Sequence, residues 1–351
     1  MTDLIIQDLT CQLLHTELKQ PFTTALHKVT EVQAVEVKIT LSNGLTGFGT
    51  ATPNEKVTGD TLATIQQVII EVLRPCLLHK HFWHWNLLLD DLQNSIIHNT
   101  AAKAAVELAL YDLRRQIFGV SLTDLLGGHN QKVITDYTIS IAKPQIMVQQ
   151  AQQLDQQGFS ALKIKVGQRP ILEEISIVND IASAVCEHHV HLRIDANQAW
   201  TVKETLLADQ IWYENNLPID FIEQPVLAQQ INAMAKLTAQ THFPIMADES
   251  AFSVIDVLNL IEQKACDFVN IKLMKTGGLR NAQQINDLCA TAGISCMIGC
   301  MIEPINSITA AVAFASANTN IKFVDLDAIL MTKTASHNSF LKIDQNILTP
   351  K

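Results

Sequence analysis

From residue 133 onward, short apolar runs alternate with longer amphipathic stretches. VITDYTISI, ALKIKV, HLRIDA, DFIEQP, PIMADE, DFVNIKL, ISCMIG and IKFVDLD are eight candidate strands, starting at residues 133, 161, 191, 220, 244, 267, 294 and 321. Between most of them, at 145–157, 171–186, 202–216 and 278–291, apolar positions recur at the spacing of one helix face. A strand, a helix and two turns need roughly 20–30 residues, which is the spacing found, so consecutive βα units are expected. Eight of them predict a closed (β/α) barrel more readily than an open doubly wound sheet.

The first part of the chain has another texture. LIIQDLTCQLLHTEL and AVEVKITLSNGLTGFGTA are alternating or β-rich, and Asn43-Gly44 within the second is a hairpin signal. QPFTTALHKVTEV, between them, is polar with a proline and reads as a loop. Helical stretches follow at 60–74, 81–93 and 99–118, the last with Asn99 or Thr100 to cap its start and Gly119 to end it. Its alanines at 101, 104, 105 and 109 let another element approach closely. SLTDLLGGHNQKV marks a boundary, so an α+β domain is expected over 1–120 and a barrel over 121–330. The β-like run SFLKIDQNIL near the end is expected to return to the first domain, which 331–351 then complete.

Charged residues interrupt the apolar runs at matching places. Lys165, Asp195, Glu223, Asp248 and Lys272 each end one run, in steps of 30, 28, 25 and 24 residues. In a closed barrel all C-terminal strand ends open on one face. One mouth would then gather three carboxylates flanked by two lysines. A lone strand-end carboxylate is most simply a helix cap, but three in successive units suit a divalent metal. Oxygen donors without His or Cys select Mg²⁺, or Mn²⁺, over zinc. Asn197 and Glu249, beside two of these acids, are candidates to hold them by hydrogen bonds.

Lys165 and Lys272 are the candidate bases. A divalent cation and a second ammonium nearby both lower a lysine pKa toward the useful range. Strands on opposite sides of the acidic ones let the two lysines address opposite faces of one carbon. One removes a proton and the other returns it, and a metal stabilises the enediolate between them. Lys163, two residues before Lys165, points the same way and is expected to act electrostatically or to bind a substrate carboxylate. KLMKTGG at 272–278 lacks the order of a phosphate loop, and Lys275 is expected on the surface or in a loop.

Composition narrows the partners. A net charge of −10 argues against nucleic acid or anionic membrane. Apolar runs fall far short of the ~20 residues of a spanning helix. MTDLIIQDLTCQ has no basic segment ahead of an apolar one, so no signal peptide is expected. Seven scattered cysteines read as reduced thiols of a cytoplasmic protein. A small-molecule substrate fits all of this, and assembly into a homo-oligomer is compatible with it.

KIK at 163–165, DAN at 195–197, EQP at 223–225, ADES at 247–250 and NIKLMKTGG at 270–278 together resemble the muconate-lactonising subgroup of the enolase superfamily. The resemblance spans essentially the whole chain, DLLGG near the domain junction included. It implies a modified TIM barrel, (β/α)₇β, under an α+β capping domain built from both chain ends. It also implies Mg²⁺ on Asp195, Glu223 and Asp248, with Lys165 and Lys272 as the acid/base pair. Members lactonise muconates, make o-succinylbenzoate or epimerise dipeptides.

Asp325 and Asp327 look like the aspartate pair with which dipeptide epimerases hold a substrate ammonium. Two fixed anions also repel a dianionic muconate or succinylbenzoate and attract a zwitterion. A Mg²⁺-dependent dipeptide epimerase is therefore the expectation. The alternatives are the other activities of the subgroup, or a barrel that binds a small acid without turning it over. In Ala-Glu epimerases the loop resembling PFTTALHKV carries an arginine for the side-chain carboxylate, whereas the matching position here is His27. An imidazole does not replace a bidentate guanidinium, so another second residue is expected. Phe22 and Thr24 in that loop, and Met297 on the seventh strand, are candidate pocket walls.

Overall fold

The computed structural model describes residues 3–26, 28–129, 131–188, 190–333 and 341–351. The alternating runs at the start form a three-stranded antiparallel sheet, in the order β1 (Ile6–Thr23), β2 (Lys28–Leu41) and β3 (Thr46–Ala51). Both long strands extend well into the polar segment read as a loop, with an irregularity in register between Glu17 and Phe22. Alternation carries them: polar side chains face solvent on a hairpin arm, so strand continues without a continuous apolar run.

Helix Thr100–Phe118 packs across β3. A Cβ on Gly47 or Gly49 would run into the Ala109 and Ala105 carbonyls, so glycine facing alanine sets this close approach. Gly119 ends the helix at φ 66, whereas Asn99 precedes it with φ 50 and no side-chain cap.

The second sheet has eight strands. Its members are β5 (Tyr137–Ile139), β6 (Ala161–Lys165), β7 (His191–Asp195), β8 (Ile219–Glu223), β9 (Ile245–Ala247), β10 (Phe268–Lys272), β11 (Ser295–Gly299) and β12 (Ile321–Asp325). They lie in sequence order, and every recorded pairing is parallel. The Asp136 N–H donates to the Val324 carbonyl at 3.1 Å and closes the circle. Seven crossovers carry helices, from Pro144–Gln156 to Ile305–Ala317. After β12 only the short turn Ala328–Met331 follows. Thr332 then bridges Leu18, and the Lys333 N–H donates to the Glu17 carbonyl at 2.9 Å. This is the (β/α)₇β barrel with a separate α+β domain that was expected.

A short strand, β4 (Val133–Ile134), precedes the barrel, and the chain ends in the hairpin β13 (Leu341–Asp344) and β14 (Ile347–Pro350). That hairpin pairs with β4, not with the first sheet. Phe221, Met246 and Met297 plug the barrel interior, with Phe268 and Phe323 against them. Among the described residues, no helix is long and apolar enough to cross a membrane.

Candidate active site

Register brings the charged strand ends to one level. Lys165 pairs with Asp195 and Asp195 with Glu223 across β6, β7 and β8, while Lys272 pairs with Gly299 and Gly299 with Asp325 across β10, β11 and β12. Lys163 stands two residues deeper and reaches up among the acids. Its Nζ lies 3.0 Å from Asp195 Oδ2, 2.8 Å from Glu223 Oε2 and 2.8 Å from Asp325 Oδ2. Burial alone would lower its pKa, but Asp195, Asp325 and Glu223 raise it well above the usual lysine value. Lys165 Nζ donates to Asp195 Oδ2 at 2.6 Å and to Asn197 Oδ1 at 3.1 Å.

Across the mouth, Lys272 Nζ donates to Asp248 Oδ2 at 2.7 Å. Here too burial lowers the pKa and the carboxylates, Asp248 first, outweigh it and raise it. Asp195 is pushed up by burial but held down to about 2 by Lys163 and Lys165. Glu223 has fewer compensating cations, and burial with Asp195 beside it pushes it up to about 7.

The acids are held by unusual backbone. Asn197, Gln198 and Gln224 follow Asp195 or Glu223 directly or closely and have φ of 41, 70 and 37. These left-handed conformations persist only where neighbours over-determine them. Gln224 Oε1 accepts from the Asp248 and Ser250 N–H groups at 2.9 and 3.0 Å, so one side chain locks the end of β9. Asn197 links two acids, its N–H donating to Asp195 Oδ1 at 2.9 Å and its Nδ2 to Glu249 Oε1 at 3.2 Å. Asn270 Nδ2 donates to Glu223 Oε1 at 2.7 Å.

Asp325 and Asp327 lie on the same side of the mouth with Asp136, their oxygens mutually within 4.8 Å. Lys163 neutralises Asp325, and Arg193 neutralises Asp136 at 2.7 Å. Asp327 Oδ2 accepts from the Thr138 N–H, at 2.5 Å, and Thr138 is the residue that supplies hydrogen bonds to this carboxyl. Burial, and then Asp325, push its pKa up to about 7. This corner is set up to receive a cation from a ligand.

The arrangement around Asp195, Glu223 and Asp248 fits a hard divalent cation. All donors are oxygens, and beside them the buried Glu249 Oε2 has no hydrogen-bond partner. Burial, with Asp248 and Asp195 nearby, pushes Glu249 up to about 8, the mark of an acidic cluster short of positive charge.

The cavity over these groups is closed by Phe22, Thr24 and Leu26 from the first domain, by Asn54 and Val57 beyond β3, and by Met301 and Ile302 beyond β11. Phe22 and Thr24 line this cavity, and His27 lies outside the described residues. Met297 does not reach it. It is fully buried in the barrel plug, because strand alternation sets Gly299, two residues on, at the mouth.

Lys275 corrects the sequence reading more sharply. It is wholly buried, with Nζ donating to Asp248 Oδ1 at 2.5 Å, to the Asp248 carbonyl at 2.6 Å and to the Asn270 carbonyl at 2.9 Å. A helical turn directly after β10 folds it back under the mouth. Its three-residue offset from Lys272 carried that information, since such a pair shares one side of a turn. Asp136 and Arg193 had no comparable signal, because their pairing joins positions 57 residues apart, just before β5 and on β7.

A two-domain protein with charged groups gathered at the strand ends of a (β/α)₇β barrel belongs to the capped-barrel class. More narrowly, residues 8–127 match the N-terminal domain of the mandelate racemase / muconate lactonizing enzyme family, residues 146–344 match the enolase C-terminal domain-like family, and the chain belongs to this enolase superfamily. The L-Ala-D/L-Glu epimerase of Bacillus subtilis is 41% identical over 92% of this chain and 87% of its own. A hydrophobic dipeptide epimerase of Enterococcus faecalis is 39% identical over 91% and 89%. The structure of the B. subtilis epimerase in a substrate-liganded complex superposes with a TM-score of 0.96, covering 99% of this chain and 96% of that one at 38% identity. A dipeptide epimerase from E. faecalis, complexed with Mg and the dipeptide L-Leu-L-Tyr, gives 0.94 at 36% identity over 99% and 97%.

Proposed function

We propose that this protein is a Mg²⁺-dependent dipeptide epimerase that inverts an α-carbon by proton transfer between Lys165 and Lys272. One observation carries the reading. Two buried ammonium groups approach the mouth from β6 and β10, each paired with a different acid, Asp195 and Asp248, with Glu223 between. A binding site needs one such cation, and two-sided proton transfer needs both. The epimerase relatives support the same reading.

Asp195, Glu223 and Asp248 would hold the metal, with Asn197 and Glu249 fixing their orientation. When bound, Mg²⁺ would supply positive charge to the substrate carboxylate and to the enediolate formed from it. Asp325 and Asp327 receive the substrate's terminal ammonium, and Lys163 balances the acids on that side. Lys165 takes the α-proton on one face while Lys272 donates on the other, and the roles reverse for the opposite epimer. Phe22 and Thr24 exclude water above the reacting carbon. Residues 1–120, joined by Thr332 and Lys333 on β1, form the cap and 121–330 the barrel, with the terminal hairpin paired to β4 on the barrel side. All seven cysteines are free, which favours a cytoplasmic setting.

Incubation with Mg²⁺ and pooled L,L-dipeptides in D₂O tests this. A one-mass-unit gain on a subset, followed by chiral analysis showing inversion, is the expected result. Absence of exchange on every dipeptide would remove the epimerase reading in favour of other acid substrates.

A further inference from the structure

Resting on the epimerase reading above, we infer that the substrate's second residue is apolar, and that Leu26, Val57, Met301 and Ile302 select it. The argument is one of elimination by charge followed by fit. Among the described residues, three ammonium groups line the cavity: Lys163, Lys165 and Lys272. Each is ion-paired already, with Asp195, Glu223 and Asp325, with Asp195, and with Asp248 respectively. An acidic side chain on the substrate would therefore enter a cavity whose described cations are committed and whose remaining carboxyl groups are those of Glu249 and Asp327. A basic side chain fares no better. The acids lie on the barrel side, where the metal and the terminal ammonium are received.

Opposite them the surface changes character. Once the carboxylate faces the metal acids and the ammonium faces Asp325 and Asp327, the second side chain is left the wall made by the loops. That wall is Phe22, Thr24 and Leu26, then Asn54 and Val57, then Cys300, Met301 and Ile302, uncharged throughout and mostly apolar. The charged neighbours Glu55 and Lys56 are exposed and do not line it.

The wall is built, not incidental. Asn54 Oδ1 accepts from the Lys56 and Val57 N–H groups at 3.2 and 3.0 Å, which fixes the turn presenting Val57. Asn54 Nδ2 donates to Met301 Sδ at 3.5 Å, tying the first-domain loop to the barrel loop. Glu303 Oε1 holds the Met301 N–H at 2.8 Å. A methionine at the junction adapts to side chains of several shapes, so selection by apolarity with tolerance of size is the expected pattern.

The test uses the full chain with Mg²⁺ and the series L-Ala-L-X, X being Ala, Leu, Met, Phe, Glu or Lys, with kcat/KM and α-deuterium incorporation measured for each. Leu, Met or Phe should exceed both Glu and Lys by at least about tenfold, the discrimination an apolar pocket ordinarily supplies. Glu or Lys equal to or above the apolar set overturns this inference and leaves the two-lysine reading standing. No deuterium on any member overturns both. Leu26→Ala and Ile302→Ala separate the wall from general damage: each should lower kcat/KM for Ala-Leu at least about fivefold more than for Ala-Ala. Equal losses on the two substrates would overturn the assignment of the wall.

Discussion

Lys275 Nζ donates to both the carboxylate and the carbonyl of Asp248, at 2.5 and 2.6 Å, so one buried ammonium grips a single residue twice. With the Asn270 carbonyl as third partner, it ties the end of β9 to β10, the strand that carries Lys272. Burial lowers the Lys275 pKa more than Asp248 raises it, so holding it charged there is costly and its hydrogen bonds must offset the cost.

Lys275→Met should destabilise the fold by about 3 kcal/mol, near the lower end for breaking a buried pair because Lys272 still faces Asp248. The denaturation midpoint should fall at unchanged slope, and calorimetric Mg²⁺ affinity should weaken with it. A loss below about 1 kcal/mol with normal metal affinity would show that Asp248 is held by other groups.

Lys165→Ala and Lys272→Ala are expected to reduce inversion by about a thousandfold or more while Mg²⁺ binding persists. The losses should differ in kind. Each variant keeps one lysine, so α-proton exchange should survive with only one of the two epimers, and with the opposite one in each variant. Near-normal turnover in both directions by either variant would eliminate the two-base scheme.

Asp327, pushed up to about 7 by burial and by Asp325, is protonated in the free protein below that pH and cannot attract an ammonium. Hence kcat/KM, which reports groups of the free enzyme, should rise with pH through about 7. Asp327→Asn should remove that limb and lower kcat/KM by about tenfold at neutral pH. A variant retaining the same limb would assign it to another group.

How much of this was legible in the chain follows from the distance over which each signal acts. The barrel strands were readable because a buried parallel strand needs a continuous apolar run, and a lysine or acid ending such a run is conspicuous. Asp195, Glu223 and Asp248 were therefore found together. The hairpin arm β1–β2 was under-read because its polar alternation past Glu17 resembles a loop. Met297 was misjudged in depth: it faces the barrel interior as Gly299 does, but two residues below the strand end, in the plug with Phe221 and Met246. The grip of Lys275 on Asp248 and the pairing of Arg193 with Asp136 are tertiary, and local pattern carries them only faintly or not at all.

Glu107 gives a pH test remote from the mouth. It sits on helix Thr100–Phe118 of the first domain, and its Oε1 accepts from the Arg280 N–H at 2.8 Å, at the start of barrel helix Leu279–Ala292. Gln93 Nε2 donates to Glu107 Oε2 at 3.0 Å and to the Gly277 carbonyl at 2.8 Å, completing a latch on the segment after Lys275. Gly278, at φ 128, lies so close to the carboxyl that a Cβ would collide with it. A helix N-terminus favours the charged carboxylate, but burial dominates and pushes Glu107 up to about 7. The folded state therefore holds a proton here that the unfolded chain, near its ordinary value of 4.5, releases. Between those two values the native state binds more protons, so this group's contribution falls as pH rises and is smallest above about 7. A shift of that size corresponds to about 3 kcal/mol across the window. Glu107→Gln should lose one hydrogen bond to Gln93 and be less stable than the parent at low pH. Its deficit should shrink as pH climbs from about 4.5, reverse so that the variant is the more stable, and level off above about 7. Urea titrations of both proteins at several pH values measure that difference, and a deficit independent of pH would show that Glu107 is ionised in the folded protein.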